Sequence, residues 1–235
     1  MNNAILQVKI KQRLNKLDSQ DYDNIQPWQI IEAFNKAQIE WCRRNLHGGN
    51  IYKEGDEASK RRIDDLQSLL TELTLTGVNE PTYFRATNFP VDEYLEFKRV
   101  SANATSECCP EPRSMTVYLA EEANVNLILR DPLKRPDFDW GETFCTLIEN
   151  EVRIYKDSSF NIVDPVITFY KKPTYIQVAG VLDPYTGTIP TVDTPSSFKD
   201  DVVELMIDEA AAIIAGDIAN YTEMQRDQAS AERSN

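Results

Sequence analysis

Near its C-terminus the sequence carries aliphatic residues at Val203, Ile207, Ala210, Ile214 and Ile218, spaced by three and four. Val202, Met206, Ile213 and the run Ala210-Ala211-Ala212 widen that stripe. A helix apolar over so broad an arc must be covered by other elements of the chain. The small residues Ala215 and Gly216 let a neighbouring helix approach closely. Ser197-Phe198-Lys199-Asp200 reads as a capping box, a hydroxyl with an acid three residues on, and marks the start.

The first third of the chain supplies candidates for that cover. Leu6, Ile10, Leu14 and Leu17, with Lys9, Lys11, Gln12, Arg13 and Lys16 between them, predict an amphipathic helix. Pro27 suits the first position of a second helix. Its buried stripe is Ile30, Phe34, Ala37 and Trp41, and Gly48-Gly49 stops it. Ile63, Leu66, Leu70 and Leu73 keep a helical period that predicts a third, closed by Gly77. Three helices joined by short polar loops pack as an antiparallel cluster.

From Thr82 the pattern changes. Tyr94–Val100 reads as a strand, Ser101–Ser114 as a long loop, and Thr116–Leu119 as a short β-prone stretch. Glu121–Leu129 fits a short helix, followed by a Pro- and acid-rich loop over Asp131–Glu142 that carries Trp140. Phe144–Ile148 and Val152–Tyr155 form a hairpin, Val166–Tyr170 is a further strand, and Asp183–Gly187 is a turn. The expected fold class is therefore α+β. An antiparallel helical bundle over 1–80 and 196–224 combines three N-terminal helices with a long C-terminal helix. A β-rich region with one short helix is inserted over 81–195, and 225–235 form a polar tail.

Charge narrows the function. The 235 residues hold 25 Lys+Arg against 38 Asp+Glu, a net charge of -13. The segment 196–235 has 3 bases and 9 acids, whereas 1–75 is balanced at 11 and 11. Gripping a nucleic-acid backbone needs clustered cations, and this chain runs the other way. No apolar run approaches the ~20 residues of a membrane span. Met1-Asn2-Asn3 does not open a signal peptide, so a soluble protein made in the cytosol is expected. On that footing the sequons Asn103-Ala104-Thr105 and Asn220-Tyr221-Thr222 are coincidental.

Catalytic signatures are missing. No phosphate-binding glycine loop, nucleophile elbow or zinc-protease motif occurs, and there are only 8 Gly. The four cysteines form no C-x-x-C pair, and His47 is the one histidine. Cys42 and Cys145 sit among apolar neighbours as core residues. Cys108-Cys109, before Pro110, reads as a strained vicinal disulfide or as two loop thiols; a reducing compartment favours the thiols. Acid clusters such as Asp137/Asp139/Glu142 or Glu121/Glu122 are candidates for Mg²⁺ or Ca²⁺, but no glycine-turn framework accompanies the Asp-x-Asp spacing and solvated loop charge explains them better. No cofactor is implied.

The order of several segments carries a resemblance. They are Ile25-Gln26-Pro27-Trp28-Gln29-Ile30-Ile31-Glu32-Ala33-Phe34-Asn35-Lys36-Ala37-Gln38, Asp137-Phe138-Asp139-Trp140-Gly141-Glu142-Thr143-Phe144, Lys199-Asp200-Asp201-Val202-Val203-Glu204, and Ile207-Asp208-Glu209-Ala210-Ala211-Ala212-Ile213-Ile214-Ala215-Gly216-Asp217. Together they make the chain resemble the head-to-tail connector ring proteins of tailed bacteriophages, most closely those of the crAss-like phages. The resemblance implies a virion structural protein without catalysis, assembled in the host cytoplasm and sited in the neck of the particle. Its partners would be further copies of itself in a twelve-fold ring, the portal protein, and the downstream ring or tail proteins.

The resemblance also implies that the C-terminal tail docks on the portal, with Gln225, Arg226, Arg233 and Asn235 as its contact candidates. DNA would pass through such a ring without specific binding, because each Lys–phosphate contact adds affinity and drag. Glu204, Asp208 and Asp217 are the candidates for an acidic lumen that repels phosphate; an ordinary acidic exterior explains them equally. The competing readings are a metal-dependent hydrolase using Asp137, Asp139 and Glu142, and a scaffolding or assembly protein absent from mature virions.

Overall fold

In a computed structural model, residues 1–14, 25–47, 65–183 and 187–217 are described, the side chains of His47 and Asp217 excepted. The chain divides into a helical unit, Met1–Ser68 with Pro173–Asn235, and a β unit, Leu69–Lys172.

In the helical unit, α1 (Asn3–Arg13) starts where the Asn2 side chain accepts the Ala4 N–H at 2.8 Å. Next comes α2 (Pro27–His47). The Gln29 side chain reaches back to the Gln26 N–H at 2.8 Å, one half of a capping box. Ile30, Phe34, Ala37 and Trp41 are buried, as their spacing requires. The C-terminal helix (Asp200–Asp217) buries Val203, Ile207, Ala210 and Ile214 together with Val202, Met206, Ala211 and Ala215. Helices α1 and α2 both pack on it, and Trp41 meets Phe198 edge-on at 5.6 Å. The helix starts at Asp200, with Val203 N–H bonded to the Lys199 carbonyl at 3.0 Å. Ser197 therefore lies too far back to cap it.

Buried amides, which hydrophobic periodicity does not register, tie the segment after Lys172 to these helices. Asn35 accepts the Ile176 N–H at 2.8 Å and donates to the Ile176 carbonyl at 3.3 Å. Asn3 donates to the carbonyls of Gln177 and Thr194 at 2.8 and 3.0 Å. Both asparagines are almost wholly buried. Each satisfies backbone groups that would otherwise lose water without compensation.

The β unit overturns the expected architecture. In place of an antiparallel helical bundle with a β insertion, the chain is dominated by one mixed, curled eight-stranded sheet. Its strands are β1 (Leu70–Thr74), β2 (Gly77–Asn79), β3 (Tyr83–Ala86), β4 (Tyr94–Ser106), β5 (Arg113–Leu119), β6 (Glu142–Ile148), β7 (Glu151–Tyr155) and β8 (Phe160–Lys171). They lie in the order β1-β8-β4-β5-β6-β7-β3-β2. All neighbours are antiparallel except β5 and β6, which run parallel.

The expected third helix is the clearest correction. Asp65 and Leu66 are helical, but the helix gives way to a 3₁₀ turn at Gln67–Leu69, and Leu70 and Leu73 fall in β1; Ile63 lies outside the described residues. The sequence Thr71-Glu72-Leu73-Thr74-Leu75-Thr76 also alternates with period two, and its threonines favour a strand. That signal won because β8 offers β1 a partner. Likewise Ser101–Ser106, expected as loop, extends β4, with Val100, Ala102 and Ala104 buried on alternate positions. The compact β unit thus runs over Leu69–Lys172, where the sequence placed the insertion at 81–195.

Strands β1 and β2 occupy opposite edges of the sheet, yet only Leu75 and Thr76 separate them. Three Cα–Cα steps span at most ~11 Å, whereas eight flat strands would be ~34 Å wide. The sheet must curl until its edges meet. Side chains close the seam: Asn79 on β2 bonds both backbone groups of Ile162 on β8, each at 3.0 Å. Asn88 accepts from Thr76 N–H at 2.8 Å and donates to the Thr74 carbonyl at 3.0 Å.

The enclosed core contains Phe84, Met115, Cys145, Ile154, Phe160, Ile162, Ile167 and Phe169, with Ala102 and Ala104 making room for the rings. Pro165 is tolerated inside β8 because Asp164 and Pro165 bulge out opposite Ala102, with Asp164 in the left-handed region at φ 48°.

Candidate interaction surface on the β unit

Parallel β5 and β6 cannot be joined by a tight turn, so the chain needs a crossover between Leu119 and Glu142. It contains a 3₁₀ turn at Glu122–Asn124 and the helix α3 (Val125–Arg130), which makes the Asp200–Asp217 helix α4. Val125, Ala120 and Ile128 seat the crossover on Phe144, Tyr155 and Tyr83. Phe144 and Tyr155 stack at 4.5 Å. These rings point away from the enclosed core, since they alternate with Cys145 and Ile154 along β6 and β7.

The rest of the crossover is ordered by turn chemistry. Asp131 accepts the Leu133 N–H and Asp137 accepts the Trp140 N–H, both at 3.0 Å. Gly141 adopts φ 69°, which a side chain disfavours, and its carbonyl receives Thr116 N–H at 2.7 Å. Phe138 turns inward to Phe160 at 6.0 Å, with Arg113 over its ring.

Only part of this outer apolar face is covered. A groove of about 560 Å³ is lined by Tyr118, Leu119, Ile128, Leu133 and Phe144, with Glu121, Asn124, Lys134, Glu142 and Thr143 around them. Leu133 is 84% exposed, and on the same crossover Trp140 and Leu127 are 77% and 68% exposed. The polar groups are occupied with one another. Tyr118 donates to Glu142 at 3.1 Å, a bond that raises the phenol above its ordinary pKa. Asn124 donates to Glu121 at 3.4 Å, and Lys134 stands 3.9 Å from Asp131. Such a groove recognises apolar shape, with no nucleophile set beside a base.

The structure pairs Asp137 with Glu142 through their backbones, at 3.0 and 3.2 Å, but gives their side chains different partners: Asp137 serves the Trp140 turn and Glu142 serves Tyr118. Among the described residues no three His, Cys, Asp or Glu side chains gather as a metal site. Glu204 pairs with Lys9 and lies 3.7 Å from Arg13, while Asp208 holds Arg13 at 2.6 Å. Their charge is met by α1 within the unit. The Asp217 side chain and the tail residues Gln225, Arg226, Arg233 and Asn235 lie outside the described residues. Cys42 and Cys145 are buried, and Cys108 and Cys109 are exposed free thiols.

Sequence reasoning missed Leu127 and Leu133 as surface features. The available signal was apolar residues standing alone among prolines and charges, as in Asp131-Pro132-Leu133-Lys134. No helix among the described residues is long and apolar enough to cross a membrane. A scan against protein-family models finds no match, and no curated protein is detectably similar in sequence.

Proposed function

We propose that this chain is a structural subunit of a phage head-to-tail connector: a ring protein that joins a portal to the downstream tail and lets DNA pass. The observation that carries the reading is the part-covered apolar groove of the β unit, whose lining residue Leu133 stands bare, with Leu127 and Trp140 exposed elsewhere on the same crossover. An apolar groove left open to water marks a surface that another macromolecule covers. The order of segments along the chain, which resembles the connector ring proteins, names the kind of assembly. The net charge of -13 suits a wall that duplex DNA slides past.

The test is to purify intact particles and locate the chain in their density. A twelve-fold ring between portal and tail is the expected result. Absence from finished particles would replace it with the assembly-factor reading. The hydrolase reading predicts instead a monomer with divalent-ion-dependent turnover that is lost in Asp137→Ala, Asp139→Ala and Glu142→Ala.

A further inference from the structure

The groove is not the only place where this chain leaves apolar side chains in water. On α1, Ile5 and Val8 are 51% and 53% exposed. They stand three residues apart, so they share one helix face, turned away from buried Leu6 and Ile10. Lys11 follows Val8 at the same spacing; α1 holds no acid, and since Lys9 and Arg13 are matched by Glu204 and Asp208, Lys11 is the cation that this face brings to a partner. The crossover from Glu121 to Glu142 has the opposite balance, six acids and three bases. Glu121 and Glu142 stand at the groove itself, two acids against the one base Lys134 in its lining.

We propose that the groove of one copy receives α1 of a second copy, with Ile5 and Val8 entering beside Leu133 and Lys11 meeting the acidic rim. The inference rests on the ring reading above and names the contact that builds the ring. A helix seated in an apolar groove is anchored by residues at i and i+3, the spacing of Ile5 and Val8. A groove of about 560 Å³ has room for both side chains. Two different patches of opposite charge on one chain define a head-to-tail contact, the kind that closes into a ring by rotation. Groove against groove would set Glu121 and Glu142 against acids of the same kind, which like charge opposes.

Native mass spectrometry of the full chain tests this with Val8→Glu, which spoils the helix face, and Leu133→Glu, which spoils the groove. Both residues are exposed, and circular dichroism and thermal melting verify that the variants fold. The wild type is expected to form closed rings and each variant alone to run as a monomer. Their equimolar mixture is expected to give a one-to-one dimer and nothing larger. The Val8→Glu copy keeps its groove and the Leu133→Glu copy keeps its helix, so one sound contact forms.

A ring that persists in either variant overturns the inference and leaves the ring reading standing. Monomeric variants whose mixture yields no dimer overturn the head-to-tail pairing. A wild type that stays monomeric up to its solubility limit overturns both. Charge reversal gives an independent readout: Lys11→Glu weakens assembly several-fold, and adding Glu121→Lys to the same chain restores it. Failure to restore it also counts against the contact.

Discussion

Asn79 on β2 accepts the N–H of Ile162 on β8 and donates to its carbonyl, both at 3.0 Å. One side chain thereby supplies the two bonds that a neighbouring strand would have made, at the seam where the curled sheet comes round on itself. Asn35 does the same to Ile176 in the helical unit. Each unit thus uses an asparagine to satisfy backbone that no strand reaches.

Removing that side chain should loosen the seam. Asn79→Ala leaves the Ile162 N–H and carbonyl without their protein partner, a loss of roughly 2–3 kcal/mol. Asn79→Asp, which keeps the acceptor but loses the donor, should fall between. Urea unfolding of the three proteins measures the order; equal stability of all three would show that water already satisfies Ile162.

Gly77 is required by contact, not by a helix end. A Cβ at this position would lie 1.9 Å from the Arg85 carbonyl oxygen and 2.9 Å from the Ala86 Cα, both backbone atoms that cannot swing aside. Gly77→Ala is expected to destabilise the β unit by about 1–3 kcal/mol, as overpacking does. Val78→Ala next to it, at an exposed position, should stay within about 0.5 kcal/mol. Denaturant titration of both variants checks the contrast.

The buried carboxylate Glu209 makes the helical unit sensitive to pH. Burial raises its pKa, Arg44 opposes that rise, and Glu40 adds to it; Arg44 hydrogen-bonds one oxygen while Oε2 has no partner. Because the folded state holds this proton more tightly than the unfolded chain, its contribution is complete below pH 4.5. That contribution is lost as pH rises through the folded pKa. Arg44→Leu should therefore cost more stability at pH 7 than at pH 4, by up to about 3 kcal/mol once the exposure of Arg44 is discounted, and so lower Tm further at pH 7. Glu209→Gln should flatten this part of the profile. Thermal melts taken from acid to neutral pH measure both.

The thiols should divide into two classes. Cys42 and Cys145 are buried, and burial pushes each thiol up to about 12, with the charge of Glu209 adding to the rise at Cys42. Cys108 and Cys109 are exposed at the β4–β5 hairpin, where Ser106 and Cys109 exchange backbone hydrogen bonds at 3.1 Å. A thiol reagent at mildly alkaline pH is expected to label these two in the native protein and all four cysteines in denaturant. Rapid native labelling of Cys42 or Cys145 would mean that the cores open.

Much of the local structure could be read without coordinates. The stripes of α2 and α4 and the β6–β7 hairpin depend on residues a few positions apart, so periodicity alone identifies them. Leu70 and Leu73 could not be read in the same way. Their spacing fits a helix, the intervening threonines fit a strand, and the choice fell to β8, whose Tyr170 and Ile167 stand opposite them. Nor could the β5–β6 parallel pairing, which sets the crossover and with it the groove, be seen from either strand alone.

The amino-acid sequence by itself determined which faces of the local elements are apolar, where the charge lies, and that none of the familiar catalytic motifs is spelled out. Only the tertiary structure decided that β1 and β2 close a curled sheet, that Glu204 and Asp208 are matched by α1, and that Leu133 and Trp140 stand bare. The reason is physical: a residue's own preference acts over a turn or two of chain, whereas strand partners, ion pairs and burial depend on contacts between residues far apart in sequence, which exist only once the chain has folded.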